Sequence, residues 1–295
     1  MNNRDKFTVG LIQMQMSADV NANVAKACSM LEDAGDMGVN VVCLPELFRS
    51  LYFCQSENPA NFDLAETLPS ATSNLLSEIA AKRNMVIIGS LFEKRTIGLY
   101  HNTSLVFDAN GEQIATYRKM HIPDDPQFYE KYYFTPGDLG FSACDSKYAK
   151  IGTLICWDQW YPEAARLTAL QGANILFYPT AIGWQESEKA ELGASQVEAW
   201  QIMQRSHAIA NGVYVAACNR IGVEGNKEEG ELEFWGNSFI ADPLGRIIAQ
   251  ASSDKEEIIT AVCDTSLQEE ARRSWPFLRD RRIDAYGGIT QRFGK

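Results

Sequence analysis

Residues Lys150-Ile-Gly-Thr-Leu-Ile-Cys-Trp-Asp-Gln-Trp-Tyr-Pro-Glu-Ala-Ala-Arg166 connect an apolar run to a helical pattern through a short turn. The run 151–155 is typical of a buried strand. Pro162 suits the first turn of a helix, where its missing N–H is not needed, and the alanines after it favour helix. The turn is expected to hold Cys156 above the edge of a sheet, where other hydrolases hold a serine nucleophile.

Cys156 is a candidate nucleophile because of this position. A helix N-terminus presents unpaired N–H groups and a partial positive charge. Both favour the thiolate, which is the form that attacks a carbonyl carbon. Most cysteines of this kind are buried structural residues, so the interpretation depends on what the rest of the chain contributes.

The composition is that of a globular protein. The 295 residues are enough for one large domain or two ordinary ones, and 45% of them are hydrophobic, so the chain can bury a large core. The formal net charge is −11 and no basic stripe is visible, so we expect no nucleic-acid partner. An acidic chain could favour a cationic substrate, but net charge alone indicates only good solubility.

Several signals of location and of bound groups are missing from the sequence. The first seven residues are polar and no run approaches about 20 apolar residues, so we expect neither a signal peptide nor a membrane contact. Seven irregularly spaced cysteines without a secretion signal are typical of reduced thiols in the cytoplasm. We predict no metal and no cofactor, because CxxC, HxxxH and glycine-rich phosphate loops do not occur. Asn102-Thr-Ser104 matches a glycosylation acceptor, which we expect to be idle.

Apolar runs and helical patterns alternate along the chain. A series of strands and helices followed by hairpin strands occurs twice, which indicates two similar halves with a boundary near residues 138–147. Eleven strands are too many for one open sheet, so we predict a single α/β domain over residues 1–295 with two mixed sheets packed face to face and helices outside. The predicted strands are 7–12, 41–44, 86–92, 103–107, 114–117, 151–155, 175–178, 213–217, 238–240, 247–251 and 258–262. The predicted helices are 22–34, 73–83, 162–171, 195–210 and 266–275, and residues 224–233 are predicted to be an exposed loop before a strand at Phe234.

Three of these strands end in a residue that can take part in chemistry. The run from Val41 ends in the carboxylate of Glu46, the run from Ile114 in the amine of Lys119, and the run from Ile151 in the thiol of Cys156. Because sites in α/β sheets form beyond the carboxyl ends of strands, we expect these side chains to form an acid, base and nucleophile set.

The motifs around these residues resemble those of a known family. Leu44-Pro-Glu46, Tyr117-Arg-Lys-Met-His121 and Ile155-Cys-Trp-Asp158 resemble, in order, the three motifs of the carbon–nitrogen hydrolase (nitrilase) superfamily. The match covers almost the whole chain. It implies a four-layer αββα sandwich, which agrees with the number of strands.

The resemblance also implies a role for each residue. Cys156 would be the nucleophile, Glu46 the general base and Lys119 the stabiliser of the oxyanion, helped by the backbone N–H of Trp157. Glu130 matches a further glutamate of many members and would position Lys119 or the substrate.

Each of these residues also has a plainer interpretation. Glu46 could be a surface carboxylate, Lys119 could belong to a solvated basic pair with Arg118, and Glu130 could pair with Lys131 on a loop. A Cys–His pair between Cys156 and His121 is another alternative.

Longer stretches resemble the branch of the family that hydrolyses N-carbamoyl compounds. The resemblance implies hydrolysis of N-carbamoylputrescine to putrescine, carbon dioxide and ammonia through a cysteine acyl-enzyme. Other ureido or amide substrates, as in a β-ureidopropionase or an ω-amidase, and a non-catalytic scaffold stay open as alternatives. The stretches are 119–138, 156–166, 177–183, 219–222, 234–238 and 275–282, while residues 184–192 depart from relatives and are expected to form a loop that borders the substrate.

A carbamoylated diamine is a small cation and needs a carboxylate a few carbons from its carbamoyl group. Asp125 and Glu186 are the favoured candidates, ahead of Asp124 and Glu188, although each could be a solvated loop charge. The aromatic candidates for the methylene chain are Tyr52, Trp157 and Trp184.

The resemblance further implies self-association. Family members usually associate through the face that bears the nucleophile's helix, and their C-terminal tails often reach a neighbouring subunit. A tail from about residue 276, with charges at 279–282, could make such a contact. The plainer interpretation is an exposed charged tail.

Overall fold

The computed structural model describes residues 5–226 and 230–294. The strands are β1 (Lys6–Gln13), β2 (Val41–Cys43), β3 (Val86–Thr96), β4 (Leu99–Phe107), β5 (Gln113–Arg118), β6 (Ala143–Asp145), β7 (Lys150–Thr153), β8 (Ile175–Pro179), β9 (Gly183–Gln185), β10 (Tyr214–Cys218), β11 (Ile221–Asn226), β12 (Gly230–Trp235), β13 (Phe239–Ala241), β14 (Ile247–Gln250) and β15 (Glu257–Asp264). The α-helices are α1 (Val20–Asp36), α2 (Ala71–Arg83), α3 (Glu130–Tyr133), α4 (Pro162–Leu170), α5 (Glu186–Asn211) and α6 (Thr265–Ser274).

Two six-stranded sheets share one pairing pattern. The first has the order β15-β1-β2-β3-β4-β5, and the second has the order β6-β7-β8-β10-β13-β14 when it is read in the same sense. In each sheet three central strands are parallel, two hairpin strands follow on one side, and one antiparallel strand closes the other side. The closing strand of the first sheet, β15, comes from the end of the chain, so it joins the C-terminal part to the first half.

The core lies in three layers between the four layers of secondary structure. Side chains of the two sheets meet in the middle, where Val9 and Val41 belong to the same cluster as Ile151 and Phe177. Leu31 of α1 and Leu76 of α2 pack on the outer face of the first sheet. Helices α4 and α5 cover the second sheet in the same way, with Ala164 and Trp200 buried. This arrangement confirms the predicted αββα sandwich.

Local sequence explains where the outer helices begin and end. The Asp19 side chain accepts hydrogen bonds from the N–H groups of Asn21 and Ala22 and caps α1. Ser70 caps α2, which ends at Asn84 in a left-handed conformation. Pro162 opens α4 in its first turn, as its fixed φ favours.

All eleven predicted strands are present, and the strand expected at Phe234 is part of β12, whereas β6, β9 and β11 were not predicted. The loop expected at 224–233 is wrong for the described part: β11 and β12 pair across it, with Glu224 opposite Leu232. The loop expected at 184–192 is also wrong, because β9 and the first turns of α5 occupy it. The polar start of the chain expected from the sequence includes residues 1–4, and the expected loop includes residues 227–229; both segments lie outside the described residues.

Further features of the described chain concern membrane crossing, the expected boundary between the halves, the C-terminal tail and the cysteines. In the described part of the chain, no helix is long and apolar enough to cross a membrane. The boundary expected near 138–147 falls between β5 and β7 and contains β6. Residues after α6 carry exposed apolar side chains, among them Phe277, Ile283 and Phe293. All seven cysteines are free.

The close approach of α4 to β7 depends on Gly152. A Cβ atom at this position would lie 2.3 Å from Thr168 Cγ2 and 2.8 Å from Leu176 Cδ2. We expect Gly152→Ala to lower the free energy of unfolding by about 1–3 kcal/mol, because extra volume must displace packed side chains. Urea denaturation measures this loss. Gly287→Ala is the control, since a Cβ there meets nothing within 4 Å; equal stabilities of the two variants would contradict the packing argument.

Candidate active site

Three strand ends bring the expected chemical groups together. Glu46 follows β2, Lys119 follows β5 directly, and Cys156 follows β7, and all three side chains are buried. Strands β2 and β5 belong to the first sheet and β7 to the second, so the site lies where the two sheets meet. The buried apolar strands fix the backbone that precedes each of these three residues and so fix their positions.

Lys119 is the centre of the site. Its Nζ donates to Glu46 Oε1 at 2.8 Å and to Glu130 Oε2 at 2.6 Å. Burial disfavours the ammonium, but Glu130, Glu46 and Cys156 outweigh it and raise the pKa of Lys119 well above its usual value. Lys119 is therefore expected to be protonated. The structure contradicts both the solvated pair of Lys119 with Arg118 and the surface position of Glu46.

Only one of the two carboxylate oxygens of Glu46 accepts hydrogen bonds from described side chains. Asn102 Nδ2 donates to Glu46 Oε1 at 2.7 Å, and Asn102 Oδ1 accepts from Ser90 Oγ. Glu46 Oε2 is buried and makes no hydrogen bond to a described residue. Asn102 was weighed only as a glycosylation acceptor, a role that its complete burial excludes. In the sequence, the only sign that Asn102 has a structural role is that it is a polar residue inside the strand β4.

Glu130, at the start of α3, completes the charged group. Its Oε1 accepts from the Tyr52 hydroxyl at 2.6 Å, while its Oε2 faces Lys119 rather than Lys131. Burial raises the pKa of Glu130 to about 7, against the opposing effect of Lys119. Burial and the charge of Glu130 also raise the pKa of Tyr52 well above its usual value, so its hydroxyl stays a donor.

Cys156 begins a five-residue 3₁₀ turn, Cys156–Trp160, with its own φ at +40°. This left-handed conformation is strained for a residue with a side chain and is typical of functional positions. Burial and Glu46 raise the pKa of the thiol well above its usual value, although Lys119 acts in the opposite direction. Desolvation therefore outweighs the groups that favour the thiolate. A base must remove the proton.

Asp158 joins the turn after β7 to the turn after β5. Its Oδ2 accepts from the Ile155 N–H and the Tyr117 hydroxyl, and its Oδ1 accepts from the His121 N–H. His121 Nδ1 lies 2.7 Å from the same Oδ1, and the His121 ring stacks on Tyr161. His121 thus pairs with Asp158 and not with Cys156, so the Cys–His alternative is wrong.

A cavity of about 420 Å³ opens beside Cys156 and Glu130. Polar groups on its wall include the carboxylates of Asp125 and Glu188, and no arginine or lysine is among the described lining residues. A similar cavity of about 460 Å³ on the outer face of α5 contains none of these chemical groups. The aromatic wall of the first cavity consists of Phe128, Trp157, Trp160 and Trp235.

The expected substrate-binding residues lie in different places. Asp125 and Trp157 line the cavity, but Glu186 is exposed at the start of α5, and Glu188 lines the cavity in its stead. Asp124 is also exposed and lies outside the lining. The start of α5 was not predicted, so the face on which each glutamate lies could not be assigned.

Two of the aromatic candidates lie outside the cavity lining as well. Tyr52 is buried behind Glu130, where its hydroxyl is a hydrogen-bond donor to that carboxylate. Trp184 packs against α5 and donates to the Gly193 carbonyl. Gln185 and Gln196, which line the cavity, were not considered from the sequence.

Comparison with known proteins assigns the chain to a protein family. The carbon–nitrogen hydrolase family matches residues 8–273. The chain belongs to this family, within the nitrilase superfamily, and is a hydrolase of carbon–nitrogen bonds.

Individual relatives cover nearly the full length. The N-carbamoylputrescine amidase of Solanum lycopersicum is 41% identical over 95% of this chain and 93% of its own. The citrullinase of Francisella tularensis is 40% identical over 97% of this chain and 98% of its own. The crystal structure of a carbon–nitrogen hydrolase from Helicobacter pylori G27 superposes with a TM-score of 0.94, at 47% identity over 98% of this chain and 100% of that one.

The raised pKa of Glu130 makes stability depend on pH. Because the folded state binds this proton more tightly than the unfolded chain, the stabilisation is complete below the ordinary pKa of 4.5 and is lost as the pH rises through about 7. Relative to Glu130→Gln, the wild type should therefore lose on the order of 2–3 kcal/mol between about pH 4.5 and pH 8.

Urea unfolding of both proteins across this pH range measures the difference. Glu112→Gln, which removes an exposed carboxylate, is the control, and its stability curve should run parallel to that of the wild type. A constant difference between wild type and Glu130→Gln at all pH values would show that Glu130 does not titrate in this range.

Proposed function

We propose that this protein hydrolyses N-carbamoylputrescine to putrescine, carbon dioxide and ammonia through a covalent intermediate on Cys156. The observation that carries the proposal is the cavity beside Cys156, whose described lining residues include the carboxylates of Asp125 and Glu188, besides Glu130, and no basic side chain. A relative named as an N-carbamoylputrescine amidase, 41% identical over nearly the full length, supports the same substrate.

The first step is the attack of Cys156 on the carbamoyl carbon. Since its pKa is raised, the thiol is neutral and must lose its proton as the S–C bond forms. Glu46 Oε2, which has no partner among the described residues, accepts that proton. Lys119, held protonated by two carboxylates, and the backbone N–H of Trp157 stabilise the oxyanion.

The second step breaks one C–N bond of the tetrahedral intermediate. The leaving nitrogen takes the proton from Glu46, and a thiocarbamate remains on Cys156. Water then attacks the thiocarbamate carbon, and Glu46 accepts a proton from this water. The carbamate that leaves decomposes to an amine and carbon dioxide, so one water is consumed whichever nitrogen leaves first. Glu46 returns the proton that it took from water to the Cys156 sulfur as the S–C bond breaks, so it acts in turn as base, acid, base and acid, and no other titrating group is needed.

Charge selects the distal end of the substrate. The free ammonium of N-carbamoylputrescine is attracted by Asp125 and Glu188, and the aromatic wall packs along its methylene groups. A carbamoyl-β-amino acid or an ω-amide acid would place a carboxylate against these acids without a basic partner. Citrulline carries both charges, and its carboxylate would meet the same repulsion.

The nucleophile is tested by replacing Cys156. Cys156→Ala is expected to lower kcat by about 10⁴-fold or more, since the covalent route is lost, while the unfolding temperature changes little. Ammonia release measures turnover. Cys28→Ala is the matched control because Cys28 is a partly buried cysteine of α1, remote in the fold from the cavity lining, and should keep full activity. Turnover by Cys156→Ala at the wild-type rate would contradict the covalent mechanism.

The charge of the substrate is tested by Glu188→Gln. We expect KM for N-carbamoylputrescine to rise by about tenfold, the effect of one lost charge-assisted hydrogen bond. KM for butylurea, which lacks the ammonium, should stay the same. Glu186→Gln removes the exposed glutamate two residues earlier and serves as the control.

The same assay distinguishes the alternatives. N-carbamoylputrescine, citrulline and N-carbamoyl-β-alanine are compared under one set of conditions by their kcat/KM values. The proposal predicts the highest value for N-carbamoylputrescine. A higher value for either of the other two compounds would contradict it.

A further inference from the structure

Arg220 and Glu224 form an ion pair that is completely buried. Arg220 Nη1 donates to Glu224 Oε1 at 2.9 Å, and neither side chain is exposed. Two charges taken out of water are costly unless further hydrogen bonds satisfy them, so a buried pair is a poor source of stability by itself. The other contacts of the pair therefore indicate why it is present.

Besides the contact of the guanidinium with the Phe234 ring, the hydrogen bonds described below lead to one segment, residues 46–52, which we call the base loop. Arg220 Nη2 donates to the carbonyls of Glu46 at 2.6 Å and Leu47 at 3.1 Å, and Nη1 donates to the carbonyl of Ser50 at 3.2 Å. Glu224 Oε2 accepts from the N–H of Tyr52 at 2.5 Å. The ion pair thus contacts the backbone of this loop near both of its ends.

The base loop needs such support because its backbone is irregular. Leu47 has φ at +50°, a left-handed conformation that costs on the order of 1 kcal/mol in a residue with a side chain. Glu46 and Leu47 are buried and lie outside the strands, so their carbonyls have no ladder partner. The forked guanidinium can satisfy several carbonyls at once, which a lysine ammonium on its flexible stem cannot do with the same geometry.

We propose that Arg220 and Glu224 are positioning residues for the candidate base. They hold the backbone of Glu46 and, through Tyr52, the hydroxyl that binds Glu130. Neither contacts the reacting atoms. The inference rests on the proposed role of Glu46 as the base, and it assigns this task to a pair that lies on and beside β11, away from the three strand ends of the site.

The test is Arg220→Lys, which keeps a positive charge opposite Glu224 but loses the fork. A displaced Glu46 should lower kcat by about 10-fold to 100-fold with KM within about twofold, because a shift of an ångström suffices for such a loss. Glu224→Gln keeps an acceptor for the Tyr52 N–H and serves as the second variant if Arg220→Lys does not fold. Ile259→Ala, in the core between the sheets, is the control for lost stability alone.

A second readout does not depend on the substrate. Iodoacetamide alkylates Cys156 only as its proton leaves, and peptide mass spectrometry measures the rate at this cysteine separately from the other six. Arg220→Lys should slow alkylation by about tenfold or more, and the same substitution in a Glu46→Gln background should add little, because both changes remove one function.

The outcomes separate the two proposals. If the wild type does not hydrolyse N-carbamoylputrescine, the proposed substrate is wrong. The alkylation rates of the single and double variants still test the role of Arg220 and Glu224. Wild-type kcat and alkylation in Arg220→Lys would overturn the inference. Equal slowing of alkylation by Arg220→Lys with and without Glu46 would overturn it as well, since the pair would then act independently of the base.

Discussion

The ammonium of Lys119 between two buried carboxylates is the interaction on which the site depends. One buried cation faces two buried acids, so the group carries an excess of negative charge whenever both acids are ionised. Burial, and then the charge of Glu46, raise the pKa of Glu130 against the opposing effect of Lys119. Asn102 and Tyr52 add neutral donors to the carboxylates, which lowers the cost of their desolvation. The charged centre is thus stable only as a complete set.

The topology explains how this set is assembled. Glu46 and Lys119 extend from two strands of the first sheet, whereas Cys156 extends from the second, and Asp158 bonds the turn after β7 to the turn after β5. Each sheet also ends in an antiparallel strand beside its first parallel strand, β15 in one and β6 in the other. The two sheets are therefore joined both at the site and through the core, and a shift of either sheet would separate the thiol from its base.

The parts of this fold that could be predicted are those with a strong apolar pattern. Eleven strands follow from runs of apolar residues, and three strand ends identify Glu46, Lys119 and Cys156. Strand β11 and the first part of β12 were missed because one face is polar and their buried residues, such as Leu232, are outnumbered by glutamate and glycine. Asn102 and Arg220 could not be assigned because a buried polar residue differs from an exposed one only through its partners. The direction of the Cys156 pKa shift required the extent of burial.

In the proposed mechanism, substrate choice and bond cleavage depend on different parts of the chain. The groups that would break the C–N bond lie at strand ends, buried and connected by hydrogen bonds that leave little freedom. The carboxylates that would select the substrate lie on the loop before α3 and on the first turns of α5, which are partly exposed. Changes at Asp125 or Glu188 can therefore alter the charge that the cavity accepts without disturbing Lys119. Relatives about 40% identical to this chain are named as an N-carbamoylputrescine amidase and as a citrullinase, and such a separation would let one fold serve different substrates.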